Sequence, residues 1–293
     1  MKKYIALAAL ALVAMGCERE NIDNTPVVDD GVMRIEALHP STRATETSFE
    51  NGDVIGLYAT TYEGDQATPL QISGNWINNE ALTYDGSTWL GRRTFYWAEG
   101  LMDVYGYYPY MEPTSITKHK WAVQTDQSLP ATEGALSAYE ASDFLWAKAE
   151  GVSQEDGSVQ LQFKHMCSKV VIKLVKGEEY TDAFPEDIDV YLYSTVPQAL
   201  INFTTGIVSK DPHGDAQKIK ARKVAIDTFE VIVVPQSILE YAPFVEIIMG
   251  GISYMTEEIF TYHAGKEYIV SITLDNSPQK IEINVGGSVG GWD

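Results

Sequence analysis

The stretch 158-SVQLQFKHMCSKVVIKLVK-176 carries two β-rich runs, SVQLQF and KVVIKLVK, separated only by KHMCS. Asp156-Gly157 just ahead supplies a turn signal, and aliphatic and β-branched residues fill both runs. Runs of the same kind recur in both directions. Upstream lie DVIGLYAT (53–60), TYDGSTWLG (83–91) with Asp85-Gly86 as a hairpin turn, and MDVYGYYPY (102–110). Downstream lie DIDVYLYS (187–194), FEVIVVPQ (229–236), FVEIIMG (244–250) and KEYIVSITL (266–274). Helical periodicity is weak; its best stretch, Ala131 to Ala138, is short and interrupted by Gly134. Regularly spaced short strands predict an all-β chain of β-sandwich domains rather than a parallel α/β sheet. With 293 residues and 45% hydrophobic content the chain can build two cores of ordinary size. The polar turn-former QEDGS sets the expected boundary, giving sandwiches over 44–157 and 158–293.

The N-terminus reads as an export signal. Lys2-Lys3 precedes an apolar run from Tyr4 to Met15 that is too short to span a bilayer, which takes about 20 residues. Val13-Ala14-Met15-Gly16-Cys17 reads as a lipobox, with residues 1–16 removed and Cys17 lipidated; the alternative is an ordinary signal peptide with an incidental cysteine. Glu18 to Asp30 is acidic and polar, a tether. Val32 to Leu38 then alternates: Met33, Ile35 and Ala37 share one face, Arg34 and Glu36 the other. Arg43 follows, among small polar residues, ahead of the strand pattern at Val54. At the other end, KIEINVGGSVGGWD (280–293) places Ile281, Ile283 and Val285 on one face and Glu282 and Asn284 on the other, with glycines before Trp292. This tail is either an edge strand of its own domain or a strand that fills a groove elsewhere.

The formal charge is −20, and loss of Lys2 and Lys3 with the signal deepens it by two. So acidic a surface excludes nucleic acid as a partner. Without the signal, Cys167 is the one remaining cysteine, so no intramolecular disulfide is available. His165 and Cys167 fall on one face of a strand, where neighbours pack side by side rather than tip to tip; a buried Cys beside a partly exposed His is expected, not a nucleophile and its base. His39, His119, His213 and His263 lack metal-ligand spacing, and Asp211, Asp215 and Asp227 lack that of a calcium loop. GGSVGG lacks the helix and Lys-Ser/Thr of a phosphate loop. A non-enzymatic chain with no metal and no cofactor is expected. The 17 Tyr and 6 Trp suit either core packing or stacking on sugar rings.

Several runs, taken in order, resemble the fimbrillin family of the Bacteroidetes, the subunits of type V pili and their Mfa-like relatives. They are SFENGDVIGLYA, RTFYWAEGLMDVYGYYP, ASDFLWAKAEGV, VQLQFKHMCSKVVIKL, VIVVPQ and YHAGKEYIVSITL, and they cover most of the chain after the signal. The resemblance implies two tandem transthyretin-like β-sandwiches. It also implies export as an outer-membrane lipoprotein through the lipoprotein machinery, and trimming by an arginine-specific surface protease. Cys17 matches the lipidated cysteine and Arg43-Ala44 the cleaved bond, with Arg34 a competing site and Met15 a departure from the commonest lipobox. Segment 17–43 is then a lipidated tether with a removable strand bearing Met33, Ile35 and Ala37. Its place is taken by a neighbouring subunit's tail, Ile281, Ile283, Val285 and Trp292. The implied function is a structural or accessory fimbrial subunit at the cell surface, partnered by other fimbrillins and by a host or bacterial surface ligand. The alternative is a monomeric lipid-anchored adhesin or carbohydrate-binding module.

Overall fold

The computed structural model describes residues 30–40, 48–275, 281–285 and 290–292. In chain order the first ten strands are β1 (Arg34–Leu38), β2 (Val54–Glu63), β3 (Gln66–Ala67), β4 (Ile77–Tyr84), β5 (Trp89–Gly91), β6 (Met102–Tyr108), β7 (His119–Ala122), β8 (Leu145–Val152), β9 (Ser158–Gln162) and β10 (Lys164–His165). The rest are β11 (Ser168–Lys176), β12 (Asp189–Thr195), β13 (Gln198–Ile201), β14 (Val208–Lys210), β15 (Gln217–Lys220), β16 (Arg222–Ala225), β17 (Thr228–Val233), β18 (Gln236–Met249), β19 (Ile252–Tyr262), β20 (Lys266–Leu274), β21 (Ile281–Val285) and β22 (Gly290–Gly291). Two single 3-10 turns, Glu140–Ser142 and Gln154–Asp156, are the only helical elements among the described residues. The chain is all-β, and the stretch from Ala131 to Ala138 forms no helix.

One large sheet orders β10-β8-β6-β2-β4-β5, with the two-stranded β1-β9 as a second layer. The second half builds a six-stranded sheet, β16-β17-β11-β20-β21 with β22 also on β20, and a four-stranded sheet, β15-β12-β18-β19. β7 leaves the first half to pair antiparallel with β13 in a third, small sheet, β14-β13-β7. Gly31–Asp293 is one contact unit; of the residues before it, all but Asp30 lie outside the described set.

Period-two alternation explains why the large sheet is buried on both faces. Ile55, Leu57 and Ala59 of β2, Met102, Val104 and Tyr108 of β6, and Leu145, Ala147 and Ala149 of β8 enter a core with Val159, Leu161 and Phe163. The intervening Tyr58, Tyr105 and Tyr107 turn the other way, into a second and larger core that runs on through Phe144 and Phe203 to β11, β17 and β20. Every residue of β6 is consequently buried. Glycines permit the closest approaches: a Cβ on Gly56 would lie 2.1 Å from the Tyr107 ring, and one on Gly106 would lie 2.9 Å from both Leu161 and Phe163.

The boundary expected after Gly157 sets β9 apart from the first half, yet β9 pairs with β1 and its Val159 and Leu161 fill the first core. The cores are not divided by position in the chain, for Tyr58, Tyr105, Tyr107 and Phe144 enter the second core together with Cys167 and the strands after it. QEDGS, though turn-forming, links β8 of the large sheet to β9 of the layer facing it, and both line the first core.

Candidate functional site: the first strand and the tail

β1 runs parallel to β9, Ile35 opposite Val159 and Ala37 opposite Leu161. The alternation read from sequence places Met33 fully inside and Ile35 and Ala37 half-buried against the first core, while Arg34 and Glu36 face outward. At its entry the strand is pinned on its other side: Met33 donates its N–H to Phe95 O (2.9 Å), and Trp97 donates to Gly31 O (3.1 Å). Beyond that bridge the two segments part, leaving a groove of about 750 Å³ between β1 and a wall made by β4, β5 and the residues up to Phe95. Arg93 on that wall pairs with Glu80 at 2.9 Å. β1 is thus bonded along its length to β9 on one edge and, beyond the bridge at its entry, borders the groove on the other.

The exit of β1 is built more tightly. Phe163 N–H donates to Leu38 O (3.0 Å), and the His39 ring sits edge-on to Phe49 (centroids 4.9 Å) and to His165 (5.9 Å). Burial lowers the pKa of His39. His165 is fully buried, not partly exposed as its sequence context suggests, and its Nδ1 lies 2.9 Å from Asp143 Oδ1. The reason is β10, which places His165 opposite Leu145 at the margin of the large sheet, under the tail. Beside it a cleft of about 620 Å³ is bordered by His39, Phe49, Asp53 and Glu140. Burial raises the pKa of Asp53 despite the Glu50 N–H and Tyr108 hydroxyl it accepts. Cys167 is wholly enclosed, and burial pushes its thiol far up, the opposite of what an attacking thiolate needs. No group of three His, Cys, Asp or Glu side chains suited to a metal ion occurs among the described residues.

The tail's Ile281–Val285 forms β21, antiparallel to β20, with Ile283 opposite Ile272 and Val285 opposite Val270. In this monomer it is the edge of its own six-stranded sheet. Gly290–Gly291 rejoins β20 at Glu267 and Lys266, and Trp292 N–H donates to Gly265 O (3.0 Å). The Trp292 indole is buried and stacked flat on His165, centroids 3.8 Å apart at 4°. Cys17, Arg43 and Ala44 lie outside the described residues. No helix among the described residues is long and apolar enough to cross a membrane.

Sequence reading did not bring out His39, Asp143, His165 and Trp292 as a group. They come from four distant segments and share no spacing; Trp292 stood out only as part of the tail, His165 only beside Cys167, and His39 only among the scattered histidines.

A Bacteroides ovatus protein provisionally named a fimbrium tip subunit is 30% identical in an alignment of 263 residues that covers 76% of this chain and 46% of that protein. A Bacteroides uniformis protein provisionally named a fimbrium subunit is 28% identical in an alignment of 216 residues that covers 70% of this chain and 67% of that one. The chain thus spans about half the length of the first relative. Among solved structures, a cell-adhesion candidate from Bacteroides uniformis superposes with a TM-score of 0.68 at 21% identity, covering 90% of this chain and 99% of its own. One from Bacteroides ovatus gives 0.68 at 20%, covering 89% and 98%. At these identities the structures speak for the fold. The fimbrillin-like family profile matches residues 42–292, and the chain belongs to that family.

Proposed function

We propose that this chain is a subunit of a surface fimbrium, exported as a lipoprotein on Cys17, trimmed after Arg43, and joined to other fimbrillins by strand exchange with a role in adhesion. The observation that carries the reading is the state of β1. It is a short parallel strand bonded along one edge, with one fully buried side chain at its entry and an open groove beside it. Its removal exposes the edge of β9 and the seats of Met33, Ile35 and Ala37, which a strand of alternating aliphatic residues can refill. Ile281, Ile283 and Val285 have that alternation. Refilling the Met33 seat alone is worth on the order of 1.5–3 kcal/mol before ordering costs.

The engagement of the tail with β20 favours a second reading, a monomeric lipid-anchored adhesin or carbohydrate-binding module that keeps its own C-terminal strand. One experiment separates the two. Purified chain is treated with an arginine-specific protease, its new N-terminus is identified by mass spectrometry, and multimers are resolved by size exclusion. Cleaved wild type should form multimers; Arg43→Ala and a chain lacking residues 281–293 should not form them alone. Multimers from uncut Arg43→Ala protein would sink strand exchange. Uniformly monomeric protein, with glycan binding on an array, would select the second reading.

A further inference from the structure

The two ends of the chain meet on one short segment. Phe163 N–H holds the last carbonyl of β1, at Leu38, and Cys167 O accepts from Gly265 N–H, whose own carbonyl accepts from Trp292. Between these two anchors stands His165, touched edge-on by His39 from the exit of β1 and covered face-on by Trp292 from the tail. Asp143 fixes the plane of the His165 ring through Nδ1. Met166 N–H donates to Phe144 O (2.9 Å), tying the same segment to the large sheet.

We propose that Phe163–Cys167 is a coupling element: the seated first strand, acting through His39 and His165, locks Trp292 and the tail onto their own domain, and departure of that strand unlocks them. When β1 leaves, Phe163 loses its acceptor and His165 loses its edge contact with His39, so the ring on which Trp292 stacks is held less firmly than before. A flat aromatic stack depends on the orientation of both planes, so freedom gained by one ring is stability lost by the pair. Linkage makes the effect reciprocal: loss of Trp292 must loosen β1 by the same factor. The device rests on reading β1 as a displaceable strand, and gives it an order of events. A subunit still carrying its first strand withholds its tail, and a trimmed one offers both a groove and a donor.

The test is hydrogen–deuterium exchange on the uncut, full-length monomer, read by mass spectrometry on peptides covering 281–292, 34–38 and the β18–β19 hairpin. His39→Ala should speed exchange in 281–292 on the order of tenfold, within the usual span of coupling energies. His39→Phe, which keeps an edge-on ring, should restore the wild-type rate. Trp292→Ala should speed exchange in 34–38 by a similar factor, and neither variant should change the hairpin. Wild-type rates for 281–292 in His39→Ala would overturn the coupling, as would acceleration of the hairpin to the same degree. Because the readout is taken on monomers before any cleavage, it is separate from multimer formation. Absence of multimers with coupling present defeats strand exchange alone, and multimers without coupling defeat the lock alone.

Discussion

β6 and β1 are both short strands with clean alternation, yet β6 is buried along its whole length while of the β1 segment only Met33, at the entry, is fully enclosed. β6 lies between β2 and β8 with an apolar core on each face; β1 has β9 on one edge, a groove on the other and water over its outer face. The residue types differ less than the number of layers that cover them. The comparison sets a strand of the frame, held between two neighbours and two cores, against one bonded along a single edge beside a groove. The largest effect should therefore come from the frame. Gly56→Val puts atoms inside the Tyr107 ring, on the face that packs into the second core. Overpacking of this kind costs about 1–3 kcal/mol where neighbours can move, and here the side chain that must move is enclosed and hydrogen-bonded to Met111 O. Loss of at least about 3 kcal/mol in urea unfolding, or of soluble expression, is expected.

The removable side of the comparison should respond less. Met33→Ala deletes a buried side chain at the margin of the first core, at a cost of about 2–4 kcal/mol. Removing residues 1–43 altogether should still leave one cooperative unfolding transition, because the large sheet keeps all its strands. A trimmed chain that melts without cooperativity would place β1 in the frame.

Much of this was legible beforehand because it rests on local alternation. The faces of Met33, Ile35 and Ala37, the hairpin turn at Asp85-Gly86 and the runs on either side of KHMCS all follow from period two and turn chemistry. The parallel pairing of β1 with β9 did not follow, since the partners lie more than a hundred residues apart and either edge of either strand satisfies the same pattern. The burial of His165 was hidden for a related reason: what covers it is Trp292, from the opposite end of the chain. The reach of β9 into the first core was missed because a polar turn marks the end of a strand without saying which layer comes next.

Within the frame itself, β6 carries Asp103, a buried carboxylate that accepts from Lys148 Nζ (2.8 Å), Tyr62 hydroxyl (2.9 Å) and Gly151 N–H (2.9 Å). Burial alone would raise its pKa, but Lys148 and the other donors outweigh burial and hold it below the ordinary aspartate value. A depressed folded-state pKa means a stabilising contribution that is full above the unfolded value near 3.9 and is lost as pH falls through the folded one. Asp103→Asn should cost about 2 kcal/mol at pH 7, the range for hydrogen bonds to a charged group. The gap between variant and wild type should narrow as pH drops below about 4. A gap independent of pH from 7 to 3 would mean that packing of the side chain, not its charge, matters there.

The smallest effect should fall on the wall of the groove. Arg93 lies between the exposed lip and Phe95, with Nε 2.9 Å from Glu80 Oε1 and its guanidinium 5.6 Å from the Phe95 ring centroid. The contact with Glu80 runs through Nε rather than the bidentate fork, and the Arg93 side chain is 55% exposed, so water and salt screen most of the attraction. Arg93→Gln should lower stability by about 0.5 kcal/mol in low salt and by less in 0.5 M salt, measured as urea midpoints of the intact chain. The wall would then owe its shape to the hydrogen-bonded β4–β5 hairpin behind it, which holds whether or not β1 is present. A loss as large as that of Met33→Ala, persisting at high salt, would show that charge rather than burial keeps the groove in form. The contrast between a covered frame and a lightly held strand would then have to be redrawn around Arg93.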